Sequence, residues 1–140
     1  FYGVLKPMDG VVPYRLEMQA KAAVGPGADL YEFWGSRLYE EVIDESRIII
    51  NLASKEYSRC VERFLEPEDI FITCIFGELS GGRMIQKGTY AKMARGEMVR
   101  FLAERQIKEP EEMKAFDRLG YVFWPELSSE KEYVFLSVLK

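Results

Sequence analysis

The sequence predicts an α+β (mixed α/β) fold, in which a mixed sheet is flanked by helices and ends in a C-terminal β-hairpin. Apolar β-branched runs, typical of strands, alternate with stretches of helical periodicity, which indicates helices packed on a sheet. Turn residues between neighbouring extended runs indicate hairpins too, so parallel and antiparallel pairs are both expected. Because no repeat or linker interrupts the 140 residues, we expect a single domain over residues 1–140.

Before Pro67 the pattern predicts a helix, a strand and a second helix. Asp29 is a favourable N-cap for a helix over residues 30–43, and Ser54 for one that ends before Pro67. The β-branched run at 48–52 predicts a strand buried on both faces. The residues expected to be buried on the helices are Leu30, Phe33, Trp34, Leu38 and Val42 on the first, and Tyr57, Val61 and Phe64 on the second.

After Pro67 the pattern predicts two strands joined by a tight turn, a long helix, a shorter helix and the closing hairpin. Thr89 is the expected N-cap of the long helix. Its expected buried stripe is Tyr90, Ala94, Met98, Phe101 and Leu102. The predicted ranges are strands 70–79 and 84–87, helices 90–106 and 111–119, and hairpin strands 121–124 and 132–139.

Positive charge is concentrated in one segment of this acidic chain, Arg83–Lys108. The segment has seven Lys and Arg against two Glu, an excess of 7 − 2 = +5, whereas the whole chain has a net charge of −4. Such segregation creates a local field that suits a polyanion such as nucleic acid. The alternative interpretation is an ordinary solvated helix face. The seven cations are Arg83, Lys87, Lys92, Arg95, Arg100, Arg105 and Lys108.

The composition of the whole sequence excludes several kinds of catalytic and metal site. The sequence has no histidine, so it has no Ser-His-Asp triad, Cys-His pair or His-based metal site. The two cysteines, Cys60 and Cys74, make neither a disulfide framework nor a zinc site, and they suggest a reducing cytoplasm. We expect no metal and no cofactor. No apolar run approaches the roughly 20 residues of a membrane span, so no membrane partner is expected.

Three groups of residues are candidates for binding or catalysis. Asn51 lies near the end of the predicted strand at 48–52, and Ser54 and Glu56 follow that strand. The start of the next helix there suits an anion, although capping alone explains Ser54. Lys92 and Arg95 share a helix face beside Gly96, which suits a backbone or a ligand that approaches closely; helix packing is the alternative. The third group lies near the amino terminus and consists of Gly3, Lys6, Arg15 and Glu17.

Five segments in order carry a family resemblance: FYGVLKPMDG, PYRLEM, LYEFWG, NLASKEY and YAKMARGEMVRF. Together they resemble the YaaA family of bacterial peroxide-stress proteins. The resemblance implies the carboxy-terminal portion of a longer cytoplasmic protein, which protects against iron and hydrogen peroxide damage. It also implies DNA binding through a helix-hairpin-helix element and a basic cleft. Gly3 and Lys6 are the positions that match this hairpin. Residues 87–89 depart from the family pattern, and this departure should alter only how the following helix is capped.

Two functional hypotheses follow. In the first, Arg83–Lys108 and the amino-terminal hairpin segment line a basic cleft that contacts DNA phosphates. In the second, the protein is an enzyme acting on a nucleotide, a nucleobase or another small anionic ligand, with Glu17 or Glu56 as general acid/base and Lys92 and Arg95 holding the anion. We favour a binding protein over an enzyme, and the sequence leaves the oligomeric state open.

Overall fold

A computed structural model of the protein describes residues 3–6, 8–13, 17–20 and 29–138. Helices and strands are interspersed within these ranges, and three short 3-10 turns lie in the last third of the chain. The helices are α1 (Leu30–Trp34), α2 (Arg37–Val42), α3 (Lys55–Glu62) and α4 (Gly88–Arg105). The strands are β1 (Ile48–Asn51), β2 (Ile70–Ser80), β3 (Arg83–Ile85), β4 (Tyr121–Phe123) and β5 (Glu132–Ser137).

The strands form one mixed sheet in the order β1-β2-β5-β4, with β3 paired to β2. β2 and β5 run parallel, with Phe76 opposite Phe135. β4 and β5 run antiparallel and form the C-terminal hairpin. These pairings confirm the predicted fold class. Within the described part of the chain, none of the helices combines the length and the apolar character that a membrane crossing requires.

The chain groups into two compact units. The first comprises residues 1–49 and 53–70, and the second comprises residues 50–52 and 71–140. A single domain over residues 1–140 stays a prediction.

In the second unit, α4 packs on the face of the sheet that carries Phe76 and Phe135. These two rings stack with centroids 5.2 Å apart. Phe116 lies edge-on to Phe76, to Phe135 and to Phe101 of α4. Burial of these large rings contributes a substantial part of the hydrophobic stabilisation of this unit.

The buried face of α4 differs slightly from the predicted one. Ala94, Met98 and Phe101 are buried as expected, but Tyr90 is exposed and Ala91 is buried in its place. Ala91 lies three residues before Ala94, so the smaller side chain continues the stripe that faces the sheet. The helix begins at Gly88, and Thr89 therefore lies inside it instead of capping it.

The helix predicted over 30–43 is two helices. It is interrupted at Gly35, whose φ of 53° does not continue a right-handed helix, and at Ser36. Asp29 caps α1 as predicted, since its carboxylate accepts the Glu32 N–H at 3.0 Å. Of the residues predicted to be buried on the helix after Ser54, Tyr57 is exposed, whereas Val61 and Phe64 are half-buried; Ser58 is the buried residue of α3.

The predicted helix 111–119 is also replaced, by two 3-10 turns, Pro110–Ala115 and Arg118–Gly120. Glu109 and Glu112 form a reciprocal capping box at the start of the first turn. That turn ends at Phe116, which has extended backbone angles and a buried ring. Packing of this ring against the core therefore outweighs the local helical pattern.

In the first unit, Arg47 joins three elements. Its guanidinium lies 2.7 Å from Asp69 and 2.5 Å from Glu66, and the Tyr39 hydroxyl donates to Asp69 at 2.8 Å. The Ile70 N–H donates to the Arg47 carbonyl at 2.8 Å. The middle of α2 and the starts of β1 and β2 are thus held together around a carboxylate that is 0% exposed.

Substitution by alanine is expected to have opposite effects on stability at two glycines of the second unit. A Cβ at Gly77 would lie 2.9 Å from the Ile85 carbonyl oxygen, whereas one at Gly96 would meet no atom within 4 Å. We expect Gly77→Ala to destabilise the fold by about 1–3 kcal/mol through overpacking, and Gly96→Ala to stabilise it by about 1 kcal/mol through helix propensity. Urea unfolding midpoints measure both changes. Equal midpoints for the two variants would contradict the close packing of β3 on β2.

The contacts of Asp69 with Arg47 and Tyr39 predict that the protein is less stable in acid. Burial alone would raise the pKa of Asp69, but hydrogen bonds from the Glu66 N–H and the Tyr39 hydroxyl, with the Arg47 charge, hold it below the ordinary value. Ionised Asp69 therefore stabilises the fold above the unfolded-state pKa of about 3.9, and that contribution is lost as pH falls through the folded-state pKa. Asp69→Asn should flatten the dependence of unfolding free energy on pH below about 5, measured by urea titration. Glu130→Gln, at an exposed carboxylate, is the control and should leave the slope unchanged.

Candidate nucleic-acid interface

The cations of Arg83–Lys108 fall into two groups. Lys87 pairs with Glu78 at 2.7 Å, and Arg100 pairs with Glu104 at 2.7 Å. Arg105 lies over the Phe101 ring, 4.6 Å from its centroid. Among the residues that the structure describes, the members of the segment with neither an ion pair nor a ring partner are Arg83, Lys92, Arg95 and Lys108.

Lys92 and Arg95 are neighbours in the first half of α4. They lie three residues apart, which places their side chains on adjoining turns of one side of the helix. Lys92 is exposed and Arg95 is half-buried. The Arg95 Nε is buried and has no hydrogen-bond partner in the described ranges. The Arg95 Nε is not accessible from solvent, so an anion at this position would contact the exposed parts of the Lys92 and Arg95 side chains.

The two glutamates of the segment are engaged elsewhere on the helix. Arg118 contacts Glu97 at 3.3 Å and Glu104 at 2.5 Å. Hydrogen bonds from Arg100 and Arg118 lower the pKa of Glu104, so it stays ionised within this network. The carboxylates of α4 therefore neutralise Arg100 and Arg118, and within the helix they leave Lys92 and Arg95 without an ion pair in the described ranges.

Sequence reasoning missed Arg118. It lies 21 residues from Glu97 and 14 from Glu104, beyond any helical spacing, so no local pattern indicates the contact.

Gly96 is exposed on α4, and a Cβ there would meet nothing within 4 Å. The alternative interpretation of Gly96, packing against another helix, therefore has no counterpart in the described ranges. Gly96 as an approach site for a ligand stays a prediction.

Asn51 ends β1 and is 6% exposed. Its Nδ2 donates to the Thr73 hydroxyl on β2 at 3.1 Å. This bond supplies the partner that a buried amide requires. Asn51 as an anion-binding residue stays a prediction.

Ser54 occupies the N-cap position of α3, although its side chain makes no capping hydrogen bond. The Glu56 carboxylate accepts the backbone N–H of Met18 at 2.9 Å, and the Tyr31 hydroxyl donates to the Glu56 carbonyl at 2.6 Å. The structure thus brings Glu56 next to the loop that contains Glu17, which is exposed. Glu56 holds this loop on α3, and catalytic roles for Glu17 and Glu56 stay predictions.

The amino-terminal candidates belong to the first unit. Gly3 has a φ of 82°, and a Cβ there would lie 3.1 Å from the Trp34 ring, so packing accounts for the glycine. Lys6 is exposed, and its backbone N–H donates to the Asp9 carboxylate at 2.8 Å. Arg15 lies outside the described residues. The nucleic-acid contacts assigned to these three residues stay predictions.

Both cysteines are free thiols. Burial raises the pKa of Cys74 to about 12. Burial also raises the pKa of Cys60, whose thiol donates to the Tyr57 carbonyl at 2.6 Å. The thiolate, which is the reactive form, is therefore disfavoured at both positions. In the described part of the chain, no three Cys, Asp or Glu side chains are arranged to hold a metal ion.

Comparison with known proteins gives one consistent result. The family model described as "Peroxide stress protein YaaA" matches residues 1–127. A UPF0246 protein of Agathobacter rectalis is 64% identical over 135 residues, which cover 96% of this chain and 54% of that protein. A UPF0246 protein of Lachnoclostridium phytofermentans is 56% identical over 136 residues, covering 97% and 53% of the two chains. The chain spans about half the length of these relatives.

The raised thiol pKa values predict that neither cysteine reacts readily with hydrogen peroxide in the folded protein. At pH 7 both thiolate fractions lie below that of an ordinary thiol, so oxidation should be slower than for glutathione. Mass analysis after peroxide treatment with a sulfenic-acid label measures this, and the urea-unfolded protein is the positive control. A disulfide or sulfenic acid formed rapidly in the native state would contradict the prediction.

Proposed function

Because this chain belongs to the family of the peroxide stress protein YaaA, we propose that it binds DNA through phosphate contacts and limits iron and hydrogen peroxide damage in the bacterial cytoplasm. The observation that carries the DNA proposal is the pair of neighbouring cations on α4, Lys92 and Arg95. Neither has an ion-pair partner among the described residues, whereas Lys87 and Arg100 do.

The chemistry of the pair suits phosphate. Lys provides a compact charge that tolerates many geometries, and Arg adds donors in a planar fork that matches phosphate oxygens. Neither contact depends on the identity of a base, so binding should be largely independent of sequence.

The length of α4 suits a duplex. Its 18 residues extend about 27 Å at 1.5 Å per residue, which corresponds to about eight base pairs at 3.4 Å each. Arg83 precedes this helix and Lys108 follows it in the chain. In this proposal they add phosphate contacts towards its two ends.

Counterion release connects DNA binding to iron. DNA carries a condensed layer of cations, and protein cations that neutralise phosphates displace them. In cells containing free Fe²⁺, some of the displaced ions are iron. Binding would therefore keep the metal that converts peroxide into damaging radicals away from the DNA it covers.

An enzyme acting on a small anionic ligand remains the alternative prediction. Glu56 has a structural role in holding the Met18 loop. Among the contacts of the described residues, none favours catalysis by Glu17 or Glu56.

The DNA proposal predicts a specific salt dependence. For B-DNA the slope of log binding constant against log salt is about −0.9 per neutralised phosphate, so Lys92→Ala with Arg95→Ala should reduce its magnitude by about 1.8. Fluorescence anisotropy of a labelled duplex at several salt concentrations measures the slope.

The matched control is Lys87→Ala with Arg100→Ala, which removes the same charge from two cations already paired with glutamate. This control should change the slope much less. An equal change in both double variants would show a general charge effect, and no change in Lys92→Ala/Arg95→Ala would remove α4 from the interface.

Cleavage of the same duplex by Fe²⁺ and peroxide tests the iron step, and the wild-type protein should suppress this cleavage more than the Lys92→Ala/Arg95→Ala variant does.

A further inference from the structure

One polar row crosses the sheet at the end of the face that carries Phe76 and Phe135. Glu78 on β2 lies opposite Ser137 on β5, and Ser137 lies opposite Tyr121 on β4. Paired residues point to the same side of a sheet, as do residues two apart on one strand, so these three side chains share the face on which α4 packs. The parallel strands β2 and β5 both end close to this row. The carboxyl edge of parallel strands is the usual position of a ligand in an open α/β sheet.

The start of α4 reaches the same row. Its N-cap residue, Lys87, lies 2.7 Å from the Glu78 Oε1, which leaves the Glu78 Oε2 for a ligand. The first turn of α4 contains no acidic side chain, and Lys87 makes no side-chain capping bond. The N–H groups of this turn, with the positive end of the helix dipole, therefore suit an anion. Gly88 at the first helical position is exposed, and a Cβ there would meet no described atom within 4 Å, so a phosphate has room.

Tyr121 supplies independent evidence for a ligand. The residue is 6% exposed, and its ring lies edge-on to Phe76 with centroids 5.5 Å apart. Its hydroxyl has no hydrogen-bond partner within the described ranges, although the hydroxyl of a buried tyrosine generally has one. Glu78, Lys87 and Tyr90 all act electrostatically on this hydroxyl, so it lies where the polar row meets the start of α4. Burial, followed by the Glu78 charge, raises the pKa of Tyr121, so the hydroxyl keeps its proton and can donate it to a ligand.

Tyr90 adds an aromatic surface beside these polar groups. It lies in the first turn of α4 and is 59% exposed, and an exposed aromatic ring suits the stacking of a nucleobase. A carboxylate near the end of a strand accepts hydrogen bonds from ribose hydroxyls, and a helix start binds the phosphate. The ring, the Glu78 carboxylate and the start of α4 thus correspond to the base, the sugar and the phosphate of a nucleotide. The Lys87–Glu78 pair has no net charge, so the repeated phosphates of DNA gain less here than a single phosphate does.

We propose that the start of α4 and the carboxyl edge of β2 and β5 form a binding site for a nucleoside monophosphate. Lys87 and the first N–H groups of α4 hold the phosphate, and Glu78 accepts hydrogen bonds from the ribose. Tyr121 donates its hydroxyl to the bound nucleotide, and the base lies on the Tyr90 ring. This nucleotide site belongs entirely to the second unit. It goes beyond the proposed function and does not depend on it, because Lys92→Ala/Arg95→Ala leaves every group of the site in place.

Calorimetric titration with AMP, GMP, CMP and UMP tests the proposal. At least one of the four should bind the wild-type chain at one site. For the tightest of them, the corresponding nucleoside, which lacks the phosphate, should bind about tenfold more weakly. Ribose 5-phosphate, which lacks the base, should also bind about tenfold more weakly. The affinity of Lys92→Ala/Arg95→Ala for the nucleotide should equal that of the wild type, so this result is separate from the outcome of the DNA titration.

Two tyrosines of the same core provide a matched pair of variants. The Tyr133 residue is also buried, but its hydroxyl already donates to Glu111 at 2.8 Å. Tyr121→Phe should weaken nucleotide binding about fivefold, and without nucleotide it should leave the urea unfolding midpoint unchanged, because no hydrogen bond of the described chain is lost. Tyr133→Phe should do the reverse: it should lower the midpoint and leave the affinity for the nucleotide unchanged.

Four results would overturn the proposal. The first is that none of the four nucleotides binds, and the second is that the nucleoside binds as tightly as its monophosphate. The third is an unchanged nucleotide affinity in folded Tyr121→Phe. The fourth is tighter binding of an oligonucleotide with a 5′-phosphate than of the free nucleotide, lost when the 5′-phosphate is removed, which would assign the start of α4 to the end of a DNA strand.

Discussion

The parallel pairing of β2 with β5 is the contact on which the second unit depends. It places Phe76 beside Phe135 with ring centroids 5.2 Å apart, and it creates the apolar surface that receives α4. Two parallel strands distant in sequence pair at a considerable loss of chain entropy, so side-chain burial must compensate for it. Phe116 contacts both rings and also Phe101 of α4. The position of the cationic helix is therefore a consequence of this aromatic core.

With α4 held in this way, the ion pairs around it determine which cations remain available. Arg118 reaches Glu97 and Glu104 from outside the helix, and Glu104 also binds Arg100. An ion pair at the surface contributes little to stability, but it changes where the positive potential lies. The cations without an ion pair in the described ranges are Lys92 and Arg95 in the first half of α4, with Arg83 before the helix and Lys108 after it. Core packing and surface electrostatics thus combine to produce one side of the helix that suits an anion.

The first unit is organised by polar contacts to a greater extent. Arg47 and Asp69 join the middle of α2 to the starts of two strands, and Glu56 joins α3 to the Met18 loop. From the sequence alone, a charged residue near a strand end is a candidate for catalysis. Here Glu56 satisfies a backbone donor, which is a structural role that buried or half-buried carboxylates frequently have.

The sequence by itself determined the types and approximate positions of most elements, since burial against a sheet imposes periods of about 2 and 3.6 residues that are visible locally. It also showed the charge excess of Arg83–Lys108. Only the tertiary structure decided that Ala91 is buried and Tyr90 exposed, that Phe116 ends a 3-10 turn, and that Arg118 neutralises two glutamates of α4. The partners in these contacts are separated by up to several tens of residues. Local periodicity carries no information about such contacts, because they form only when packing of the whole chain brings distant side chains together.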